Sequence, residues 1–505
     1  MKKILSLLLA LTMLLGCVCC ASADQGASIT VGLAGDPGNI GPFQGMGLGR
    51  IGILFTTYEM LMAKDADGEY VPVLMKEMTA VDDLTYDVEI YDYIYDQDGN
   101  HLTASDIKFC YETAQGTGNL PKLSAIDSVE VLSDYVVRFT FSALSAGDLE
   151  SLMMECPIVT QAAYEASADQ MATDPVSTSA YRVVDFKTGS SITYENTGKY
   201  WQTNEDLVAY TSQHNADTIT FKVIPEAVTL NNALATGEID ISAALDAVYV
   251  GDYLDKDGYT AVDFQDNITK YLIFNNNIFS TAEARQAIAY AIDTEDLITF
   301  AYNGTGARSA HTVGNSNYPD YLTSWDEEDY YEYDDAMASE LIEAAGLAGQ
   351  TYTLMYSVSD VNKNLAETIQ ADLEMFGIHV ELKAYDTNLF NQYKYAEDAH
   401  EWDLMLDEGG SSGLLVNVWK LTMDRNDQTH GKTIGYVSDD ELQALLEAAM
   451  EDNSAENMDA FHQYLKEECY EYGLVVPVTY LIHTNNIKTA ARCFRGQILP
   501  GACEF

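Results

Sequence analysis

Gly409-Gly410-Ser411-Ser412-Gly413 is the stretch whose residue types and spacing come closest to chemistry. It fits G-x-S-x-G, the pattern of a nucleophile elbow, where a serine is thrust out on a sharp turn between strand and helix. On that reading Trp402 to Leu406 is the strand, Ser411 the nucleophile and Leu414 to Leu421 the helix. His430, His462 or His483 would supply the base. No His-Gly-Gly-type loop upstream provides an oxyanion hole, and three fixed small residues are a weak signal. The plainer alternative is a flexible Gly/Ser loop lying close to a ligand. A secreted serine hydrolase acting through Ser411 is therefore the rival reading.

Other chemical patterns fail sooner. Acid pairs such as Glu238/Asp240 and Asp407/Glu408 could be glycosidase carboxylates, but 79 acidic residues put such pairs everywhere. His400-Glu401 lacks the second histidine of H-E-x-x-H, because Leu404 stands in its place. Asp96-Gln97-Asp98-Gly99-Asn100 hints at a calcium loop, yet its glycine is misplaced and no glutamate closes it. Gly431-Lys432-Thr433 resembles the end of a phosphate loop, with Asn426 where the first glycine belongs. No metal site and no cofactor are expected.

Composition narrows the function classes. The chain has 505 residues, 26 basic against 79 acidic, and a net charge of −53. Such a surface repels phosphate backbones and anionic headgroups, which excludes a nucleic-acid role and suits a cationic or zwitterionic ligand. At 47% hydrophobic the chain can bury sizeable cores, and its length calls for two or three domains. The 34 tyrosines offer broad, amphipathic contact faces of the kind binding clefts use.

Met1-Lys2-Lys3 followed by the apolar run Ile4–Val18 reads as an export signal. Ala21-Ser22-Ala23 offers one cleavage site, leaving Asp24 first. Leu14-Leu15-Gly16-Cys17 offers another, with Cys17 lipidated. No later stretch is apolar enough to span a membrane. Cys110, Cys156, Cys469, Cys493 and Cys503 remain after the signal, without C-x-x-C. Cys493 and Cys503 are either bridged or buried as free thiols.

The elements that must position these residues alternate between strand and helix, an α/β pattern. Ile29–Leu33 predicts a first strand. Thr103-Ala104-Ser105-Asp106 has capping-box spacing and opens a helix, and Ser280/Glu283 and Ser438/Glu441 share that spacing. They predict helices over Ala282–Ile292 and Leu442–Met450. Val475-Val476-Pro477-Val478-Thr479-Tyr480 predicts a strand, with Pro477 arguing for an edge or a crossover.

Several segments together resemble the extracellular solute-binding protein family 5, the dipeptide-, oligopeptide- and nickel-binding components of ABC importers. Gly35-Asp36-Pro37 with Gly41-Pro42 resembles its N-terminal segment. Tyr58-Glu59-Met60-Leu61 and Asp67-Gly68-Glu69-Tyr70-Val71-Pro72-Val73-Leu74 resemble its "Y-E-x-L … d-G-x-y-x-P-x-L-A". Asp98-Gly99 and Leu102-Thr103-Ala104-Ser105-Asp106-Ile107 are similar to "h-d-G-x-p-l-T-A-e-D-V". Pro175–Tyr181, Lys199-Tyr200-Trp201, Thr236–Asp240, Ala284–Asp293 and Ile369–Ile378 follow in the family's order.

The resemblance implies a two-lobed α/β fold with an extra subdomain and a ligand cleft between the lobes. Residues 24–60, 182–268 and 481–505 would form lobe I, 61–181 the extra subdomain and 269–480 lobe II, with 1–23 the signal. The lobes would join near Asp266–Phe274 and Val475–Ile487. The implied function is capture of a small solute, a peptide or peptide-like molecule, for an ABC permease. The protein would be an exported, monomeric receptor without turnover, touching the membrane only through an anchor at Cys17. Implied ligand residues are Asp407, Glu408, Ser411 and Ser412 in the loop after Trp402-Asp403-Leu404, Tyr480 at the second crossover, and Tyr271 and Asn275 at the first. Both acids are expected to lie outside the core.

Overall fold

A computed structural model describes residues 27–45, 50–144, 147–243, 245–265, 267–310, 312–328, 331–396, 401–410, 413–426, 433–492 and 498–505. The chain opens on strand β1 (Ser28–Leu33). A four-stranded antiparallel sheet follows: β2 (Met75–Asp82), β3 (Thr85–Ile90), β4 (Ile126–Ser133) and β5 (Val136–Phe141), ordered β2-β3-β5-β4. Helix α1 (Ala104–Thr117) packs on it. Its capping box forms as its spacing predicts: Asp106 accepts from the Thr103 backbone N–H at 2.7 Å, and the Thr103 hydroxyl donates to the same carboxylate at 2.8 Å. Helix α2 (Asp148–Glu155) comes next.

The chain then returns to the first sheet through β6 (Tyr181–Lys187), β7 (Ser191–Asn196), β8 (Thr218–Val223), β9 (Ile241–Ser242) and β10 (Tyr259–Gln265). β1 lies parallel to both β8 and β9. Val31 and Phe221 from these strands share one core with Val88 and Ile107 of the small sheet and its helix. The four-stranded unit is thus continuous with this lobe and has no separate core.

A second sheet is built from β11 (Thr269–Phe274), β12 (Thr351–Ser357), β13 (His379–Tyr385) and β14 (Leu404–Gly409). β12 runs parallel to β13 and β14, while β11 runs antiparallel to β14. Helices α3 (Asp360–Met375), α4 (Thr387–Lys394) and α5 (Leu415–Met423) flank it. Its two faces bury different cores, one around Leu354, Ile369 and Leu406 and the other around Met405, Trp419 and Phe461.

Two places join the sheets. One is the short passage from β10 to β11. The other is β15 (Glu471–Thr484). Its first half pairs with β11, and its second half with β10 and β9. Pro477, which has no N–H to donate, sits where those partners change, opposite Gly306.

Two predicted helix caps shift by one residue. Thr281, not Ser280, caps Ala282–Tyr290, its hydroxyl accepting from Ala284 N–H at 3.3 Å. Asp439, not Ser438, caps Asp440–Glu451, because its carboxylate accepts two N–H groups there and can also hold Tyr464 and Tyr470. The first helix also stops early, since Asp293 caps a new one over Thr294–Tyr302. Cys503 is a buried free thiol, and Cys493 lies outside the described residues. No helix among the described residues is long and apolar enough to cross a membrane.

Candidate functional site

β14 carries the two candidate acids at its carboxyl end, the end where parallel α/β sheets present ligand sites. Both are strand residues, not loop residues. They alternate across the sheet, so each finds a different partner. Directly opposite on β11, Tyr271 faces Asp407 and Lys270 faces Glu408.

Asp407 points into the lobe. Its side chain is 8% exposed and accepts Lys394 Nζ at 2.5 Å and the Tyr271 hydroxyl at 3.2 Å. Burial alone would pull the Lys394 ammonium down; the Asp407 carboxylate and Tyr395 more than offset this and leave it above its ordinary value. Burial, then Asp407, pushes the Tyr271 phenol well up. The Asp407 side chain is thus largely covered and turned into the lobe, contrary to the expectation from sequence. A carboxylate after an apolar strand and before glycines looks like loop when its lysine partner is not visible.

Glu408 faces the other side with its side chain 50% exposed and accepts Lys270 Nζ at 2.5 Å. Lys270 also donates to Asn362 Oδ1 at 2.8 Å, and Asn362 donates in turn to Ser357 at the end of β12. The first crossover strand is thereby tied to the carboxyl ends of β12 and β14.

The glycines that follow have a packing reason. A Cβ on Gly409 would lie 2.9 Å from Val313 Cγ1 and 3.1 Å from the Tyr271 ring. One on Gly410 would lie 3.2 Å from the Asn267 carbonyl and from Ile268. The corner therefore rests on the first crossover. Ser411 and Ser412 lie outside the described residues. Beyond them α5 starts at Leu415, whose N–H donates to Asp320 Oδ1 at 2.7 Å, while Val416 N–H donates to Oδ2 at 3.1 Å. Burial raises the Asp320 carboxyl, and these two N–H groups oppose that shift. Sequence reasoning missed Asp320, since no local spacing links it to a helix so far along the chain.

The remaining candidates separate. Tyr480 lies on the first-lobe half of β15, opposite Asp263, partly buried against the small core cluster around Leu230, Ile239 and Ile482. Tyr271 is 1% exposed, its ring in the core and only its hydroxyl reaching Asp407. Asn275 lies past the far end of β11, fully buried, donating to the Trp402 carbonyl at 3.0 Å and accepting from Asn277 N–H at 3.1 Å. The structure brings Tyr271, Asp407 and Glu408 together and leaves Asn275 apart.

The hydrolase rival loses two of its three candidate bases. His462 is buried flat against Trp325, with Nδ1 on the Thr312 hydroxyl at 3.1 Å. His483 is buried with Nδ1 on the Thr484 carbonyl at 3.0 Å. His430 lies outside the described residues. The Asp96 loop closes on itself, its carboxylate accepting from Asp98 N–H, Asn100 N–H and side chain, and the Thr160 hydroxyl. No group of metal-ligating side chains occurs among the described residues.

Two lobes whose strands meet only along the shared strand β15 and the β10-to-β11 passage define a two-lobed α/β binding protein of the periplasmic type. The chain belongs to the bacterial extracellular solute-binding proteins, family 5, whose middle segment matches residues 69–416. That family consists of solute-binding proteins rather than enzymes, so nothing supports the hydrolase. The chain is 25% identical to heme-binding protein A of Haemophilus influenzae over 62% of its length and 56% of that protein's. It is 24% identical to a dipeptide-binding protein of Pseudomonas aeruginosa over 74% of its length and 69% of that protein's. Three of the curated relatives are spanned only to 46%, 56% and 63% of their lengths. The oligopeptide-binding protein AppA of Bacillus subtilis, solved with a nonapeptide, superposes with a TM-score of 0.73 at 18% identity, covering 95% of this chain and 99% of AppA.

Proposed function

We propose that this protein is the extracytoplasmic receptor of an ABC import system and captures a peptide or peptide-like solute between its lobes. The observation that carries the reading is the pair of crossovers, β10 to β11 and β15, set beside the carboxyl ends of β12 and β14. Hinging at two strands lets the lobes close over a solute, and the closed form is what a permease would select. A dipeptide-binding relative and a peptide-bound structural neighbour support the ligand class.

On this reading the second crossover falls at Pro477, so that Tyr480 belongs to the first lobe rather than the second, and residues 61–181 extend the first lobe. Candidate ligand contacts are Glu408 and the corner with Ser411 and Ser412, with Tyr480 across the cleft. Tyr271 and Asp407 support them from behind. The buried amide of Asn275 is already committed to backbone partners and is left out. The chain is exported as a monomer, released after Ala23 or held by a lipid on Cys17.

A melting-shift screen with peptide pools, followed by calorimetry, tests the reading. A peptide should raise the melting temperature without being consumed. Turnover abolished by Ser411→Ala would overturn it. Intact mass of the native protein separates a start at Asp24 from a diacylated Cys17.

A further inference from the structure

We infer that Leu414, seated on Gly147, closes the cleft near Gly409 and Gly410 at the end of β14 and limits how long a ligand the closed protein can hold. This rests on the solute-receptor reading above. Gly147 precedes α2 with φ of +72°, a left-handed conformation that favours glycine. α2 is rooted in the first lobe's core through Leu152, Met153 and Met154. Leu414 precedes α5, whose Leu415, Val416 and Trp419 belong to a core of the second lobe.

The two residues fit one another closely. A Cβ on Gly147 would stand 3.0 Å from both Cγ and Cδ1 of Leu414, and the three nearest atoms it would meet all belong to that leucine. The isobutyl group occupies the space a side chain at 147 would need. This contact is distinct from both crossovers, so it joins the lobes at a third place. It also follows directly on the corner beside Glu408. A short solute can end before it, whereas a longer chain running past the corner must displace Leu414.

The test uses the full exported chain as wild type, Leu414→Ala and Gly147→Ala. Each is measured by small-angle scattering without ligand and by calorimetry with alanine peptides of two, three, five and nine residues. Leu414→Ala should enlarge the radius of gyration and raise the nonapeptide-to-dipeptide affinity ratio at least fivefold. Gly147→Ala, whose methyl would press on Leu414, should open the protein too. Leu414→Ala leaves the left-handed backbone untouched and so guards against a folding defect at Gly147. Identical scattering from all three proteins overturns the proposal, as does an opened form with an unchanged length ratio. Binding of no peptide by any of them counts against the peptide reading, and the scattering then decides the contact by itself.

Discussion

Glu59 accepts the Trp201 indole N–H at 2.7 Å, and its other oxygen accepts the Tyr200 hydroxyl at 2.5 Å and the Ser212 hydroxyl at 2.7 Å. Tyr58-Glu59-Met60-Leu61 and Lys199-Tyr200-Trp201 are two of the segments that carry the family resemblance, and this buried carboxylate joins them. Burial raises its pKa, and the three donors act against that. Glu59→Leu should cost about 2–3 kcal/mol, because it leaves buried donors unmade. Glu59→Gln keeps an acceptor and should cost less. Denaturant melts of both variants check the ordering, which fails if the two are equally stable.

Asp407 and Lys394 form a pair in which both side chains are largely buried. Asp407→Asn strands an ammonium in the core and should cost about 3–5 kcal/mol. Replacing both, as Asp407→Asn with Lys394→Met, should recover much of that. A double-mutant cycle gives the coupling, and additive losses would show that the pair does not interact.

The contrast between these acids shows what the sequence made legible. Thr103 and Asp106 were readable because a capping box is a local pattern. The strand through Val475–Tyr480 was readable from its β-branched run and its proline. Asp407 and Glu408 look like loop residues in the sequence but are paired strand residues in the fold. Their lysines arrive from α4 and from the opposite strand β11, and no spacing near the acids announces either. Asp320 is hidden for the same reason. Asn275 is near a crossover in the sequence, but β11 carries it away from the end where Lys270 meets Glu408.

Glu471 predicts a pH effect on stability. It is fully buried at the start of β15, accepts Val313 N–H at 3.0 Å through one oxygen, and has no partner for the other among the described residues. Burial pushes its carboxyl up to about 7, against the pull of that N–H. A raised folded pKa means the native state holds the proton more tightly than the unfolded chain. Its stabilisation is complete below the unfolded pKa and is lost as pH rises through about 7. Glu471→Gln keeps the acceptor for Val313 and cannot ionise. Its melting temperature relative to wild type should therefore be higher at pH 8 than at pH 5, and a constant difference would refute the assignment.

Gly473 lies on the same strand, and a Cβ there would collide with the Thr312 carbonyl and the Ser309 hydroxyl. The first is backbone and cannot swing aside. Gly473→Ala should destabilise by more than about 2 kcal/mol, the scale of forced overpacking. Gly68→Ala is a useful control, because its open turn has no neighbour within 4 Å and carries only the cost of a positive φ. A melt in which the two variants match would show that β15 yields at this point.

Glu408 separates a ligand effect from a folding effect. It is half-exposed at the carboxyl end of β14, while Asp407 is spent inside the lobe. Of the two acids, Glu408 is therefore the one able to meet a cationic group in the cleft. Its bond to Lys270 is no obstacle, because a carboxylate has lone pairs for more than one donor. Glu408→Gln keeps an amide oxygen for the buried Lys270 ammonium, which also donates to Asn362, so its stability loss should stay below the about 3–5 kcal/mol of breaking a buried pair outright. A charge-assisted contact to a peptide ammonium lost from the cleft costs about 1.5–3 kcal/mol, or roughly ten- to a hundredfold in affinity. Tyr480→Ala, from the opposite lobe, should weaken the same peptide. Calorimetry on wild type, Glu408→Gln and Tyr480→Ala with one peptide, free and N-acetylated, reads both effects. Acetylation should weaken wild type strongly and Glu408→Gln little, since the charge it removes has already lost its partner. Equal losses on acetylation in both proteins would place the ammonium elsewhere.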